Sequence, residues 1–316
     1  MIPAPDLLHA FLRHLAEDER KAASTVAGYR AELELLVRRG VALVPEALGA
    51  HLTWLPDGAP VAATTRNRRL SILRAFVRWL LARGELAADP LAGIRRAKVP
   101  RRHRSALTAA DLERVVGVLL AEPPSWRRTR DGTLLLLFFY TGLRLAEAHR
   151  LDVDQVDLAG GVLRGALRKG GDVTDVVLHP CLAAQLAVWM QVRPRPKEAV
   201  SFPRGNERPA TDVPTGCLFP AERGARLSKR QIQKRLKALG EAAGLGVALH
   251  PHLLRHAHAT GLLREGVATA VIQQSMNHHA LATTELYLHG DLGLVRLAIA
   301  RLPALPLVPP GDPPRR

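Results

Sequence analysis

Six side chains from residue 144 onward have types and spacings suited to chemistry at a phosphodiester. They are Arg144, Lys169, His252, Arg255, His278 and Tyr287, with Glu147 close behind the first. In-line attack at phosphorus builds negative charge on the non-bridging oxygens. A guanidinium, always charged and forked, meets that charge better than an ammonium, and Arg144 and Arg255 are the candidates for it. His252 precedes Arg255 by three residues, so on a helix both project from one face; His278 adds a donor from another segment. Tyr287 offers an oxygen nucleophile, and a cationic pocket helps a phenol of pKa about 10 lose its proton. Lys169, in a turn, is placed to return a proton to the leaving oxygen as a general acid. Nothing in this chemistry calls for a metal or any other cofactor, and none is expected.

The same residues have plainer readings. Arg144 and Glu147 fit a surface ion pair on a helix. Lys169 fits a solvated turn residue, and neighbouring Arg168 competes for its role. His252 and His256, four apart and followed by His258, have a spacing that zinc sites use, but no cysteine or well-placed acid completes such a site. Tyr287 could simply pack, although the other two tyrosines have clearer places: Tyr140 ends an apolar run that reads as core, and Tyr29 falls in an N-terminal helix.

Composition narrows the partner. The chain has 316 residues, 47% of them hydrophobic, enough for one large or two medium domains with real cores. The densest apolar run, Leu134 to Tyr140, is far short of the roughly 20 residues that a membrane span needs. The opening residues show no basic stretch followed by an apolar one, so no secretory signal is expected. The cysteines, Cys181 and Cys217, form neither a metal-type nor a redox-type pair. A reducing, cytoplasmic setting follows. The formal net charge is +16, carried by 38 Arg and 7 Lys. A GC-rich coding bias accounts for arginine over lysine, but not for bases outnumbering acids. Residues 66–104 hold twelve basic side chains against Glu85 and Asp89. That concentration points to a polyanion, and to nucleic acid rather than a membrane surface because no amphipathic anchor accompanies it.

These residues need elements to hold them. Residues 1–89 read as a helical domain. One helix runs past Ser24 and Thr25 through Tyr29, Leu33, Leu36 and Val37 to Gly40. A second opens at Thr64–Thr65 and aligns Leu70, Leu73, Val77, Leu80 and Leu81 before Gly84. Residues 90–106, with Pro90, Pro100 and Arg101-Arg102-His103-Arg104, read as an extended Arg-rich linker. A catalytic domain is expected over 107–302. It begins with a helix at Thr108–Asp111 and continues into a buried helix within 132–149 that emerges at charged residues. A hairpin of Val162–Leu167 and Val173–Leu178 follows around Lys169-Gly170-Gly171-Asp172. After a proline-rich excursion, helices resume at about 228–243, 252–264, 268–276 and 280–300. Residues 303–316 read as a Pro-rich tail.

In their order, the segments TGLRLAEAHRL, RKGGDVTDVVLHP, HPHLLRHAHATGLL and MNHHALATTELYLH resemble the tyrosine recombinase (phage integrase, Xer-like) family across residues 141–289. The N-terminal half resembles that family's core-binding domain more softly, through the Ser24–Tyr29–Leu33 helix and Asp89-Pro90-Leu91. The resemblance implies a mainly α fold with a small β-sheet: a SAM-like helical domain and an α/β catalytic domain closing on DNA as a C-shaped clamp. It implies Arg144, Lys169, His252, Arg255, His278 and Tyr287 as the catalytic set, Glu147 in support, and a 3′-phosphotyrosyl intermediate that conserves bond energy without ATP. The implied partner is double-stranded DNA with an inverted-repeat core site, bound by a tetramer of this chain or with a related recombinase. That places the protein in the cytoplasm at the nucleoid, away from membranes.

Arg66, Arg68, Arg69, Arg74, Arg101, Arg102 and Arg104, with Lys229, Arg230 and Lys234 at a helix start, are the expected DNA contacts. The apolar face of Leu292, Val295 and Ile299 would dock on a neighbouring protomer, or pack in cis. The absence of an accessory arm domain before residues 1–20 favours a simple recombinase. Departures from the family pattern are Asn277, after Met276, where glycine usually precedes the second histidine, and Ala148-His149 after the glutamate; asparagine tolerates left-handed backbone. A type IB topoisomerase-like relaxing enzyme and a non-catalytic DNA-binding protein are the alternatives.

Overall fold

The computed structural model describes residues 5–55, 57–99, 107–168, 172–194, 216–222, 224–276 and 292–307. The chain divides into two units, Met1–His103 and Arg104–Arg316. Among the described residues, no helix is long and apolar enough to cross a membrane.

The first unit is helical, with α1 (Pro5–Glu17), α2 (Ala23–Arg38), α3 (Pro45–Thr53) and α4 (Ala63–Ala82). Leu70, Leu73 and Leu80 of α4, with Phe76 and Val77, are buried because they meet Phe11 of α1 and Leu33 and Leu36 of α2 in one core, with Leu81 partly buried at its edge. The rings of Phe11 and Phe76 tilt against each other with centroids 5.1 Å apart. Ser24 and Thr25 do not cap α2: Ala22 is its N-cap and makes no side-chain cap. Helices α1 and α3, which the pattern did not single out, close the bundle through Leu8, Leu12, Leu15, Leu48 and Leu52.

Residues 94–97 correct the expectation that an extended linker begins at residue 90. Asn67 donates to the Ala97 carbonyl and accepts from the Ala97 N–H, both at 2.8 Å. Arg66 donates to the Arg95 carbonyl at 2.8 Å and Arg74 to the Ile94 carbonyl at 2.7 Å. Backbone outside a helix or sheet must find partners elsewhere, and α4 supplies them, so this stretch is part of the first unit.

In the second unit, α5 (Ala109–Ala121) starts at a capping box between Thr108 and Asp111. The axis of the unit is α6 (Trp126–Thr141), in which every residue from Arg130 to Thr141 is buried. Packed around it are α5, α8 (Pro180–Val192), α9 (Lys229–Ala242) and α10 (Pro251–Arg264). A three-stranded antiparallel sheet runs in the order β1 (Val156–Asp157), β2 (Val162–Leu167) and β3 (Val173–Val177). The pairing of β2 with β3 shifts by one residue between Leu163 and Ala166, where Gly165 takes φ +60°. This bulge changes which side chains of β2 face inward.

The expected tail is a second correction. Leu302, Leu305 and Leu307 are buried in the main core of the unit. The Tyr140 hydroxyl donates to the Pro303 carbonyl at 2.7 Å and accepts from the Leu305 N–H at 2.9 Å. Proline stops a helix but not packing, and each buried leucine contributes about 2 kcal/mol. Residues 308–316 lie outside the described residues. Of the expected helix at 280–300, the described part is α12 (Leu292–Ile299). Its Val295 and Ile299 pack on Val177 of the same chain, while Leu294 and Leu297 are exposed.

Candidate active site

Helix α6 ends at Gly142 in the left-handed conformation, φ +59°, and buried Leu143 pins the turn that follows. Arg144 is therefore the N-cap of α7 (Leu145–Arg150), and Glu147 is at its third position. The Glu147 carboxylate accepts the Arg144 backbone N–H through Oε2 and its Nη1 through Oε1, both at 2.9 Å. The ion pair foreseen from the sequence is present, but Glu147 is buried, so the pair faces inward. Arg168, directly after β2, reaches the same carboxylate with Nη1 at 3.3 Å from Oε2.

Arg255 comes from α10, whose N-terminus is capped by the His250 side chain and opened by Pro251. Only 4% exposed, it donates to the Gly142 carbonyl and, at 2.9 Å, to the Met276 carbonyl. Met276 is the last residue of α11 (Thr269–Met276). One guanidinium thus ties the turn before Arg144 to the end of α11. His252 is one helical turn before Arg255 and exposed. His258, one turn after it, is fully enclosed. Its Nδ1–H donates to the Phe139 carbonyl at 2.9 Å, and Nε2 faces Ser275 Oγ at 3.4 Å.

Three guanidinium groups and one carboxylate therefore share a largely buried region, and their charges act on one another. Burial lowers the Arg255 pKa to about 10, with the Arg144 charge adding to it, Glu147 opposing and Arg168 adding again. Burial also lowers that of Arg168, against the pull of Glu147. For Glu147, burial pushes the carboxyl up, but hydrogen bonds from the Arg144 backbone and side chain, with the charge of Arg168, outweigh it, and its pKa is lowered. Burial lowers the His258 pKa to about 4, so this imidazole is neutral near pH 7. The net excess of positive charge suits an anion, and Arg144 is the partly accessible member of the set.

Arg144, Glu147 and Arg255 come together, and His252 shares a helix with Arg255. Lys169, His278 and Tyr287 lie outside the described residues, as do Asn277, Arg101, Arg102 and Arg104. Of the expected DNA contacts, Arg68, Lys229, Arg230 and Lys234 are exposed and Arg66 and Arg74 half-buried. Arg69 is not a surface group. Its side chain is buried 3.3 Å from Glu32, which also accepts from His51 at 2.9 Å, so it is removed from that set. Sequence reasoning missed the inward placement of Arg168 and the part played by His258. The second had a signal, since His258 follows Arg255 at the i,i+3 spacing that puts both on one helix face.

Comparison with known proteins gives one consistent result. A family model described as "Phage integrase family" matches residues 106–292, and one described as "Phage integrase, N-terminal SAM-like domain" matches residues 8–84. A relative from Azotobacter vinelandii, "Tyrosine recombinase XerC", is 31% identical over 90% of this chain and 91% of its own length. Another XerC, from Roseiflexus castenholzii, is 31% identical over 89% of this chain and 88% of its own. Among solved structures, a lambda integrase dimer bound to a COC′ core site covers 87% of this chain and 94% of its own, at 18% identity and TM-score 0.64. The XerH site-specific recombinase bound to difH covers 94% and 84% at 19% identity and TM-score 0.60. At these identities the structural matches speak for the fold.

Proposed function

The chain belongs to the phage integrase family of tyrosine recombinases, and from that premise we propose that it cuts and rejoins duplex DNA site-specifically through a 3′-phosphotyrosyl intermediate on Tyr287. The observation that supports this reading most is the convergence of Arg144 and Arg255 from α7 and α10 on one region, with Glu147 orienting the first. Two forked cations there oppose the charge that grows on the phosphoryl oxygens.

The Tyr287 oxygen attacks phosphorus as its proton passes to solvent water, the bond from phosphorus to the 5′ oxygen breaks, and Lys169 protonates that departing oxygen to a 5′-hydroxyl. His252 and His278 donate to the same phosphate. One phosphodiester replaces another, so a 5′-hydroxyl from a partner strand reverses the steps without ATP. Both units bind an inverted-repeat core site, with Arg66, Arg68, Arg74, Lys229, Arg230, Lys234 and the Arg101, Arg102 and Arg104 cluster on the backbone. Four protomers on two such sites, at the nucleoid, complete the exchange.

The test is a suicide duplex, selected by binding from a pool with randomised inverted-repeat halves and rebuilt with a nick beside the cleavage position. Wild type should trap a covalent protein–DNA adduct, and Tyr287→Phe should trap none. No adduct with wild type, or one with Tyr287→Phe, refutes the reading. Relaxation of any supercoiled plasmid by dilute monomer would favour the topoisomerase alternative.

A further inference from the structure

Arg168 is held at three points. Its backbone N–H donates to the Asp172 carbonyl at 2.7 Å, closing the neck of the β2–β3 hairpin. Its Nε donates to Thr174 Oγ1 at 2.8 Å and its Nη1 to Glu147 Oε2 at 3.3 Å. The residue is 3% exposed, an unusual position for a charged side chain at the end of a strand. The bulge at Gly165 accounts for it. Counted by strict alternation from buried Leu163, residue 167 would face inward. The one-residue shift before Ala166 exposes Leu167 instead and sends Ala166 and Arg168 into the interior.

We propose that Arg168 is a positioning residue for strand cleavage, acting through the Glu147 carboxylate on Arg144. Its Nε and Nη1 are engaged by Thr174 and Glu147, and a guanidinium keeps its proton, so it is not the general acid. Glu147 holds the Arg144 backbone through Oε2 and its guanidinium through Oε1. Arg168 adds a second, charged donor on Oε2 from another element and is in turn oriented by Thr174, which fixes the carboxylate against rotation. The charge balance matters as well. Without Arg168 the buried Glu147 would take more of its stabilisation from Arg144, drawing that guanidinium away from substrate.

This inference rests on the assignment of Arg144 to the phosphate, and Arg144→Ala separates the two failures. Single-turnover adduct formation on the suicide duplex should be compared for wild type, Arg144→Ala, Arg168→Met, Arg168→Lys, Thr174→Val, Glu147→Gln and the Arg168→Met/Glu147→Gln double variant. DNA affinity and melting temperature should be measured alongside. Arg168→Met should slow cleavage on the order of 10–100-fold with DNA affinity within about threefold, Arg168→Lys should recover part of the rate, and the double variant should be no slower than its slower parent. If Arg168→Met does not fold, Arg168→Lys and Thr174→Val decide: both should cleave several-fold more slowly at unchanged affinity. Wild-type cleavage rates in the Arg168 and Thr174 variants, or losses that multiply in the double variant, overturn the proposal. Normal cleavage by Arg144→Ala instead overturns the underlying site assignment.

Discussion

The His258 imidazole occupies the space that a side chain at Gly142 would need: a Cβ there would lie 2.9 Å from His258 Cδ2. Gly142 also has φ +59°, so the backbone conformation and the packing both demand glycine, two residues before Arg144. Gly142→Ala should cost at least about 1–2 kcal/mol from the left-handed backbone alone, and more from the contact. Because the turn sets the start of α7, cleavage of the suicide duplex should fall more than about tenfold with DNA binding retained. A variant that melts and cleaves like wild type would contradict this.

Acid should destabilise the second unit through its histidines. The folded pKa of His258 is lowered to about 4, and burial also lowers those of His149 and His179. At these three positions the unfolded chain takes up protons below about pH 6.5, whereas the folded chain does so only at lower pH. Stability is therefore complete above that pH and declines as pH falls toward the folded values. His258 alone should account for on the order of 3 kcal/mol between pH 7 and 4. Denaturant unfolding across this range should show a shallower loss in His258→Gln, and an unchanged slope would count against it.

Tyr140 fastens the end of the described chain. Tyr140→Phe leaves the Pro303 carbonyl and the Leu305 N–H without their shared partner, at a cost of about 1–3 kcal/mol. Limited proteolysis should then cut after residue 300 at much lower protease concentration than in wild type, with the first unit equally resistant in both. Equal resistance at the C-terminus would show that the buried leucines hold the segment unaided.

Neighbouring arginines on α4 should behave oppositely. Arg68→Ala should weaken DNA binding and reduce the slope of log affinity against log salt by about 0.9, leaving the melting temperature unchanged. Arg69→Ala leaves buried Glu32 with its His51 contact alone and should destabilise the first unit by about 1–3 kcal/mol. Salt titrations and melts of the two variants check both halves.

Much of this was legible in the sequence. Leucines at helical spacing and the Thr108–Asp111 pair predict α2, α4 and α5. The two β-prone runs around Lys169–Asp172 predict β2 and β3. The order of Arg144, Lys169, His252, Arg255, His278 and Tyr287 carries the family resemblance. The helices α1, α3 and α8 were less visible because their short apolar runs have no strong stop signal on both sides. The burial of Arg69 was hidden because its partner Glu32 is on another helix, and the basic run around it looks like surface.

Residue types and their order thus determined which chemical groups this protein can bring to a reaction, since a guanidinium or a phenol is the same group wherever the chain carries it. Which arginine goes where was decided only in three dimensions. A single extra residue at Gly165 reverses the pleat, and an alternation pattern cannot reveal that until the partner strand is paired with it. The acceptors of Arg255, at residues 142 and 276, come from opposite ends of the catalytic segment. Long-range contacts of that kind leave no local mark, because packing rather than spacing brings them together.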